Sequence, residues 1–251
     1  MLSPFDLSGR TALVTGANKG LGQAIALALA HAGADIAAAG TTPAHETGAA
    51  VEAMGRRFAS WDADFRSLAP CRRVVEQTIE RFGRIDILVN NAGMIRRGDA
   101  IDFTEADWDD VMNVNLKSVF FLCQAAGRAM IAAGRGKIIN IASMLSFQGG
   151  VRVPSYTASK SGLAGLTRLL ANEWAAKGVN VNAIAPGYMA TDNTAPLRGD
   201  ASRNTEILGR IPAGRWGEPG DLGGAAVFLA SAASDYVHGA ILPVDGGWLC
   251  R

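Results

Sequence analysis

Short runs of β-forming residues alternate with helical periodicity along almost the whole chain. The runs cover residues 11–15, 36–39, 85–89, 137–141, 179–184 and 240–243, and each predicts a strand. Residues 85–89 are apolar except for Asp86, which is typical of a parallel strand covered on both faces. Right-handed βαβ connections between such strands predict an α/β protein with a three-layer, doubly wound Rossmann fold and a mainly parallel sheet.

Length and composition predict one domain spanning residues 1–251. Hydrophobic residues make up 49% of the 251 residues, which is enough to bury one sizeable core. The formal net charge is +1 and no run of like charges is present, so we expect neither a nucleic acid nor a membrane surface as partner. A small molecule is the expected partner.

Sequence features that are missing predict a cytoplasmic protein without a metal site. The longest apolar region, residues 24–40, is too short for a membrane span and is interrupted by His31 and Asp35, and no secretory signal pattern is present. The three cysteines lack CxxC spacing, which favours reduced thiols. The three histidines lie far apart and form no ligand spacing with the cysteines, so we expect no metal.

The segment between the first strand and its helix is rich in glycine, with the sequence TGANKGLG at residues 15–22. Glycine permits a tight turn and lets backbone N–H groups approach a diphosphate at the positive end of the helix. The strand before and the helix after favour a dinucleotide site over a turn needed only for packing. The residues predicted to contact the cofactor here are Gly16, Asn18, Lys19, Gly20, Leu21 and Gly22.

Two other strand ends predict further contacts with the cofactor. The sequence NNAG follows the strand at 85–89 and places Asn91, Ala92 and Gly93 at the carboxyl end of a central strand, where open α/β sheets bind ligands. Asp64 lies at the predicted end of a short edge strand, where it either accepts a hydrogen bond from an adenine amino group or is simply solvated.

The end of the second strand bears on which nicotinamide cofactor is used. Proteins specific for NAD place an Asp or Glu there to bind the ribose 2′-hydroxyl, whereas this chain has Gly40, Thr41 and Thr42. No carboxylate therefore repels a 2′-phosphate, and Lys19 supplies a positive charge nearby. These residues slightly favour NADP(H), with Thr41 as a contact.

Tyr156 and Lys160 are four residues apart at the start of a predicted helix, 155–176, so both project from one face. A phenol with a pKa of about 10 needs a nearby cation to act as acid or base near neutral pH, and Lys160 can supply it. Ser143 follows the strand at 137–141 and could hydrogen-bond the reacting oxygen. Asn115 could hold a water linked to Lys160. These four are the predicted catalytic residues.

Together these motifs resemble the short-chain dehydrogenases/reductases over essentially the whole chain: TGxxxGxG, NNAG, Asn115, Ser143 and YxxxK. The resemblance implies a seven-stranded sheet, a homotetramer and a Ser-Tyr-Lys-Asn tetrad. It also implies that Pro186, Gly187 and Thr191 help to hold the carboxamide of the cofactor.

Residues 138–160, 181–191, 211–217 and 245–248 resemble one branch of the family, whose members act on deoxy-sugar acids of the 2-keto-3-deoxygluconate or 2-deoxygluconate type. That branch is described as NAD-linked, so both NAD(H) and NADP(H) stay open. A sugar acid carries a carboxylate, which calls for a cation in the substrate site. The candidate substrate residues are Arg152 first, then Arg96, with Gln148, Ser146 and Met144 on the loop after Ser143.

Residues 187–212 are polar, contain Pro196 and Gly199, and resemble a mobile lid over a site. Two other functions are considered. One is a carbonyl reductase of another substrate class, such as 3-oxoacyl thioesters. The other is a dinucleotide-binding sensor without turnover, against which the intact tetrad argues.

Overall fold

The computed structural model describes residues 3–250, in which seven parallel strands form one sheet with the order β3-β2-β1-β4-β5-β6-β7. This arrangement confirms the predicted fold class. The strands are β1 Thr11–Thr15, β2 Asp35–Gly40, β3 Phe58–Asp62, β4 Ile87–Asn90, β5 Gly136–Ile141, β6 Val179–Pro186 and β7 Ile241–Val244.

Nine α-helices fall within the described residues, and they cover both faces of the sheet. They are α1 Gly20–His31, α2 His45–Ala53, α3 Ala69–Phe82, α4 Glu105–Met112, α5 Ser118–Ala132, α6 Pro154–Trp174, α7 Ala195–Gly199, α8 Ala201–Arg210 and α9 Gly223–Ala230. The helix predicted at 155–176 therefore begins one residue earlier, at a proline that suits the first helical turn, and ends two residues earlier.

The buried side chains of β1 show why the strands are apolar on both faces. Ala12 and Val14 belong to the hydrophobic cluster under α1, α2 and α9, whereas Leu13 belongs to the cluster under α3, α5 and α6. Neighbouring residues of a strand point to opposite faces, so a sheet between two helical layers needs apolar residues at every position.

Strand order reverses between β1 and β4, because the chain runs outward through β2 and β3 and then returns to β4 on the other side of β1. Such a reversal opens a crevice outside the carboxyl ends of the strands, where doubly wound proteins bind their ligands. The glycine-rich loop at residues 15–22 and the NNAG segment at residues 90–93 lie side by side at this crevice.

The segment predicted to be a lid, residues 187–212, contains α7 and α8 and is mostly helical. Its mobility stays a prediction. Across residues 3–250 the structure contains no helix that is both long and apolar enough to cross a bilayer. It also contains no group of His, Cys, Asp or Glu side chains, among those described, that could hold a metal ion.

Candidate active site

One cavity of about 1080 Å³ lies at the carboxyl ends of the strands. The glycine loop and Thr41 line one end, which we call the cofactor end. Ser143, Tyr156 and Trp248 line the other, the substrate end. All the predicted cofactor residues border it: Gly16, Asn18, Lys19, Gly20, Leu21, Gly22, Thr41, Asp64, Asn91, Ala92, Gly93, Tyr156, Lys160, Pro186, Gly187 and Thr191.

The glycine loop has the geometry that a diphosphate requires. Gly16 and Gly20 adopt positive φ angles of 65° and 58°, which side chains other than glycine rarely tolerate. A Cβ on Gly22 would lie 2.1 Å from the carbonyl oxygen of Gly16, so only glycine allows the helix to approach the strand this closely. The N-terminus of α1 has no side-chain cap and no acidic residue in its first turn. A dinucleotide diphosphate fits this uncapped, positively polarised helix end.

The NNAG segment holds the glycine loop in place. The side-chain amide of Asn91 donates to the backbone oxygens of Thr15 at 2.9 Å and Gly16 at 3.1 Å. The backbone N–H of Ala92 donates to the Thr15 hydroxyl at 2.9 Å. The amide nitrogen of Asn91 is therefore engaged by the protein itself.

At the cofactor end, two positively charged side chains are each paired with an aspartate. The Lys19 ammonium lies 2.6 Å from a carboxylate oxygen of Asp192, in the segment after β6. Arg66 donates to both carboxylate oxygens of Asp64, at 2.6 to 3.1 Å, and these hydrogen bonds lower the pKa of Asp64. An adenine amino group would have to share Asp64 with Arg66.

Tyr156 and Lys160 lie on the first two turns of α6, with the Lys160 ammonium 5.6 Å from the centre of the Tyr156 ring. The ammonium donates to the backbone oxygen of Ile141 at 2.6 Å and is buried. Ser143, two residues after the end of β5, accepts a hydrogen bond from the backbone of Leu145 at 3.2 Å. The structure thus brings three of the four predicted catalytic side chains to one wall of the cavity.

Burial is the main cause of the shifted pKa values of Tyr156 and Lys160. It raises the pKa of Tyr156, while a hydrogen bond with Ser143 and the positive charge of Arg97 act in the opposite direction. Burial also lowers the pKa of Lys160 to about 8. Arg97 thus adds a positive charge that acts on the phenol, and the effect of Lys160 on the phenol stays a prediction. Lys160 directs its ammonium at a strand carbonyl.

Asn115 lies behind the cavity wall and does not border the cavity. Its side-chain amide exchanges two hydrogen bonds of 2.9 Å with the backbone of Met94 and donates to the Ser159 hydroxyl at 3.3 Å. It lies in a π-helical turn, Asn113–Lys117, between α4 and α5, and such wide turns are frequent at functional sites. In this structure Asn115 ties that turn to the chain after NNAG, and its water link to Lys160 stays a prediction.

Three of the five candidate substrate residues do not border the cavity. Arg152 has a φ of 61° and pairs with Asp99 at 3.0 Å, with both side chains well exposed. Arg96 is held on the outer surface by carboxylates of α4, Asp107 at 3.3 Å and Asp110 at 3.0 Å.

The hydroxyl of Ser146 turns toward α6 and donates to the backbone oxygen of Lys160 at 2.6 Å. The structure therefore does not bring these three residues to the cavity, and their contact with the substrate stays a prediction. Met144 and Gln148 do line the substrate end.

The substrate end contains residues that the sequence did not single out. They are Arg97, Tyr188, Arg203, Glu206, Arg210 and Trp248. Arg203, Glu206 and Arg210 share one face of α8 at spacings of three and seven, a pattern that could have suggested a common surface. Trp248 could not have been placed from the sequence, because tertiary packing brings it to the cavity, with Tyr188 4.7 Å away between ring centres.

Gln148 links the substrate loop to this face. Its side-chain oxygen accepts hydrogen bonds from the Trp248 indole at 3.3 Å and from Arg210 at 3.4 Å. The Arg210 guanidinium in turn lies 4.1 Å from the centre of the Trp248 ring. These contacts fix α8 across the substrate end.

Comparison with known proteins assigns the whole chain. A family profile described as Enoyl-(Acyl carrier protein) reductase matches residues 16–249. A curated 2-dehydro-3-deoxy-D-gluconate 5-dehydrogenase of Escherichia coli K12 is 62% identical over 252 residues and 100% of both chains. The chain belongs to the short-chain dehydrogenase/reductase family. This short-chain dehydrogenase/reductase is accordingly an NAD(P)-dependent oxidoreductase.

Other relatives of this short-chain dehydrogenase/reductase agree. A 2-dehydro-3-deoxy-D-gluconate 5-dehydrogenase of Bacillus subtilis is 58% identical, with 98% of this chain and 97% of the relative covered. An Agrobacterium tumefaciens protein, provisionally assigned as a 2-deoxy-D-gluconate 3-dehydrogenase, was crystallised with bound NADP; it is 59% identical, has a TM-score of 0.93, and 99% of each chain is covered. A gluconate 5-dehydrogenase of Burkholderia cenocepacia, in complex with NADP and tartrate, is 40% identical with a TM-score of 0.94, covering 100% of this chain and 99% of its own.

Proposed function

We propose that this enzyme transfers a hydride between NAD(P) and a keto or hydroxyl group of a deoxy-sugar acid, with 2-dehydro-3-deoxy-D-gluconate, oxidised at carbon 5, as substrate. The relatives from Escherichia coli and Bacillus subtilis carry the name of this reaction. The observation that carries the proposal is the excess of positive charge at the substrate end, where Arg97, Arg203 and Arg210 face a single carboxylate, Glu206. A cavity with this charge suits an anionic substrate.

Each proposed catalytic residue has a task that its surroundings support. NAD(P), when bound, supplies the hydride acceptor or donor. Tyr156 moves a proton to or from the substrate oxygen, and Ser143 hydrogen-bonds the same oxygen. Lys160 holds a positive charge beside the phenol, and Asn115 positions the wall behind it through its bonds to Met94. Arg97, which acts electrostatically on Tyr156, binds the substrate carboxylate close to the reacting groups.

We further propose that the enzyme accepts both NADP(H) and NAD(H). Thr41 cannot repel a 2′-phosphate, and structural relatives contain NADP. Lys19, however, is already engaged by Asp192 and is not free to attract that phosphate at full strength.

A role in carbohydrate breakdown in the cytoplasm, as a homotetramer, also belongs to the proposal. An apolar groove on the outer face of α4, α5 and α6 supports self-association, since such patches on soluble domains often mark interfaces. Its lining residues include Met112, Leu116, Phe120 and Leu166. Light scattering after gel filtration would measure the oligomeric state.

The substrate proposal is tested by replacing Arg97, with its neighbour as the matched control. We expect Arg97→Ala to raise KM for 2-dehydro-3-deoxy-D-gluconate by about tenfold or more, because a charge-assisted contact with the carboxylate is lost. Arg96→Ala should leave KM near the wild-type value, since Arg96 pairs with Asp107 and Asp110 outside the cavity. Steady-state kinetics, followed by NAD(P)H absorbance, measures both variants.

The same assay separates the candidate functions. Faster turnover of a 3-oxoacyl thioester than of the sugar acid would contradict the proposal. Cofactor binding without oxidation of any substrate would instead support a sensor. Tyr156→Phe serves as the inactive reference, because it keeps the ring and removes the proton-carrying hydroxyl.

A further inference from the structure

The cofactor end of the cavity holds two cations that could meet a phosphate, and the structure pairs each with an aspartate. Arg66 is bound by Asp64 and Lys19 by Asp192. The other described cations that line the cavity lie toward the substrate end: Arg97, Lys160, Arg203 and Arg210. The affinity for a phosphate at the cofactor end therefore depends on how strongly these two aspartates bind the two cations.

The two ion pairs differ in how readily they exchange partners. Arg66 and Asp64 are two residues apart, and the guanidinium grips both carboxylate oxygens. Lys19 and Asp192 are joined by one hydrogen bond between segments 173 residues apart, and both side chains are more than two-thirds exposed. An exposed single contact of this kind contributes little free energy, so Lys19 is the cation that an incoming phosphate can recruit.

The position of Lys19 connects it to the one group that distinguishes the two cofactors. NADP differs from NAD by a phosphate on the adenosine ribose, which Rossmann folds bind near the end of the second strand. Here that end is Gly40 and Thr41, and a Cβ built on Gly40 would lie 3.7 Å from Gly16 in the glycine loop. Lys19 belongs to the same loop and lines the same end of the cavity.

We propose that Asp192 sets the cofactor preference of this enzyme by competing with the 2′-phosphate of NADP(H) for the Lys19 ammonium. Both cofactors carry the diphosphate, so a charge that acted on the diphosphate alone would change their affinities equally. When Asp192 releases Lys19, only NADP(H) has the additional phosphate that the ammonium can bind. Asp192 thereby holds the preference closer to balance than Lys19 and Thr41 alone would.

Arg198 makes this exchange of partners feasible. Its positive charge also acts on Asp192, and its guanidinium donates to the backbone oxygen of Thr191 at 3.1 Å, one residue away. When Lys19 turns to a phosphate, the Asp192 carboxylate keeps a neighbouring cation and does not lose all its compensation. The carboxylate of Asp192 is well exposed, so water also solvates it.

The test is direct binding of NADPH and NADH, measured by fluorescence titration of the purified enzyme without substrate. We expect Asp192→Asn to tighten NADPH binding by about threefold to fivefold, the upper part of the range for one exposed ion pair, with a much smaller change for NADH. Asp192→Glu keeps the charge and should keep the wild-type ratio of the two dissociation constants. Asp235→Asn, which removes an exposed ion-paired carboxylate from Lys137 outside the cavity, is the matched control and should change neither constant.

A second background shows whether the effect runs through Lys19. In Lys19→Gln enzyme, NADPH binding should weaken, and adding Asp192→Asn should no longer alter the ratio. Equal shifts for both cofactors in Asp192→Asn would overturn the proposal, as would an unchanged ratio. A change of ratio that persists without Lys19 would also refute it. Thermal unfolding of each variant is the check that the exposed substitutions leave the fold intact.

Discussion

The Lys160 side chain keeps an ammonium group where water hardly reaches it. It is 5% exposed, makes one hydrogen bond to the Ile141 carbonyl, and has a pKa lowered by burial to about 8 from 10.5. Below the lower value the folded protein carries the full cost of a buried charge. Between about 8 and 10.5 the unfolded chain binds the proton more tightly than the folded chain, so this contribution to stability improves as pH rises.

We therefore expect Lys160→Met to be more stable than the wild type at about pH 7, and this advantage to shrink as the pH approaches about 10. One pKa unit corresponds to about 1.36 kcal/mol, so the change amounts to a few kcal/mol. Urea unfolding of both proteins at several pH values measures it. Lys177→Met, at an exposed lysine, is the control and should show no such trend. A stability difference independent of pH would mean that the pKa of Lys160 is the same in the folded and the unfolded chain.

Single residues are where the sequence was least informative. Arg96 and Arg97 are adjacent and chemically identical, and only the fold decides that Arg97 faces the cavity while α4 retains Arg96. Arg152 precedes Tyr156 by one helical turn, but a left-handed backbone turns it toward Asp99. The motif residues Ser143, Tyr156 and Lys160 were placed correctly at the cavity, because strand ends and helix spacing fix their positions.

At the level of elements, α8 carries much of the substrate end. Its first turn is capped by the Asp200 carboxylate, which accepts from the backbone of Arg203 at 3.0 Å. Arg203 and Arg210, on the face toward the cavity, depend on this helix for their positions. Loss of the cap should therefore weaken substrate binding more than cofactor binding.

We expect Asp200→Ala to cost about 1 kcal/mol of helix stability and to raise KM for the sugar acid severalfold while leaving the Kd of NADPH near its wild-type value. Thr104→Ala is the matched control, because Thr104 caps α4 in the same way, at 3.1 Å from the Asp107 nitrogen, and α4 does not line the cavity. An equal rise of KM in both variants would show that the effect is global destabilisation. Kinetics and thermal unfolding together separate the two.

Hydrophobic periodicity predicted the presence of the strands more accurately than the residues at which they begin and end. Six strands were predicted within two residues of their observed ends, because each is a continuous apolar run between turn residues. The edge strand β3, FASWD, is half exposed and mixes polar with apolar residues, so only its place before Asp64 could be anticipated. The two helices within residues 187–212 were missed because their sequence is polar and is interrupted by Pro196 and Gly199.

Across the whole molecule, the cavity and a buried charged cluster lie at opposite ends of the sheet. The cavity lies at the carboxyl ends of the strands, while Asp86 is buried just before β4, at the amino ends. Its carboxylate binds Arg84 at 2.6 Å, Arg10 at 3.2 Å and the backbone of Thr11 at 3.0 Å. This cluster joins β1 to β4 at the amino ends of the two strands.

Asp86→Asn should lower the free energy of unfolding by about 2 kcal/mol, somewhat less than for a fully buried pair because its arginine partners remain partly solvated. KM and kcat of the folded enzyme should not change. Urea unfolding and steady-state kinetics measure the two effects. Arg135→Ala serves as the weaker comparison, since its guanidinium is 3.8 Å from the carboxylate and more than half exposed. Altered kinetics in Asp86→Asn would show that the two ends are coupled.

The reversal of strand order between β1 and β4 has a consequence for the stability of the enzyme. The cavity at that reversal is lined from both halves of the sheet, so a dinucleotide bound there would link them. A ligand present at about one hundred times its Kd adds roughly 2.7 kcal/mol to the folded state. Removal of the cofactor should therefore lower the free energy of unfolding of this protein as well as stop its turnover.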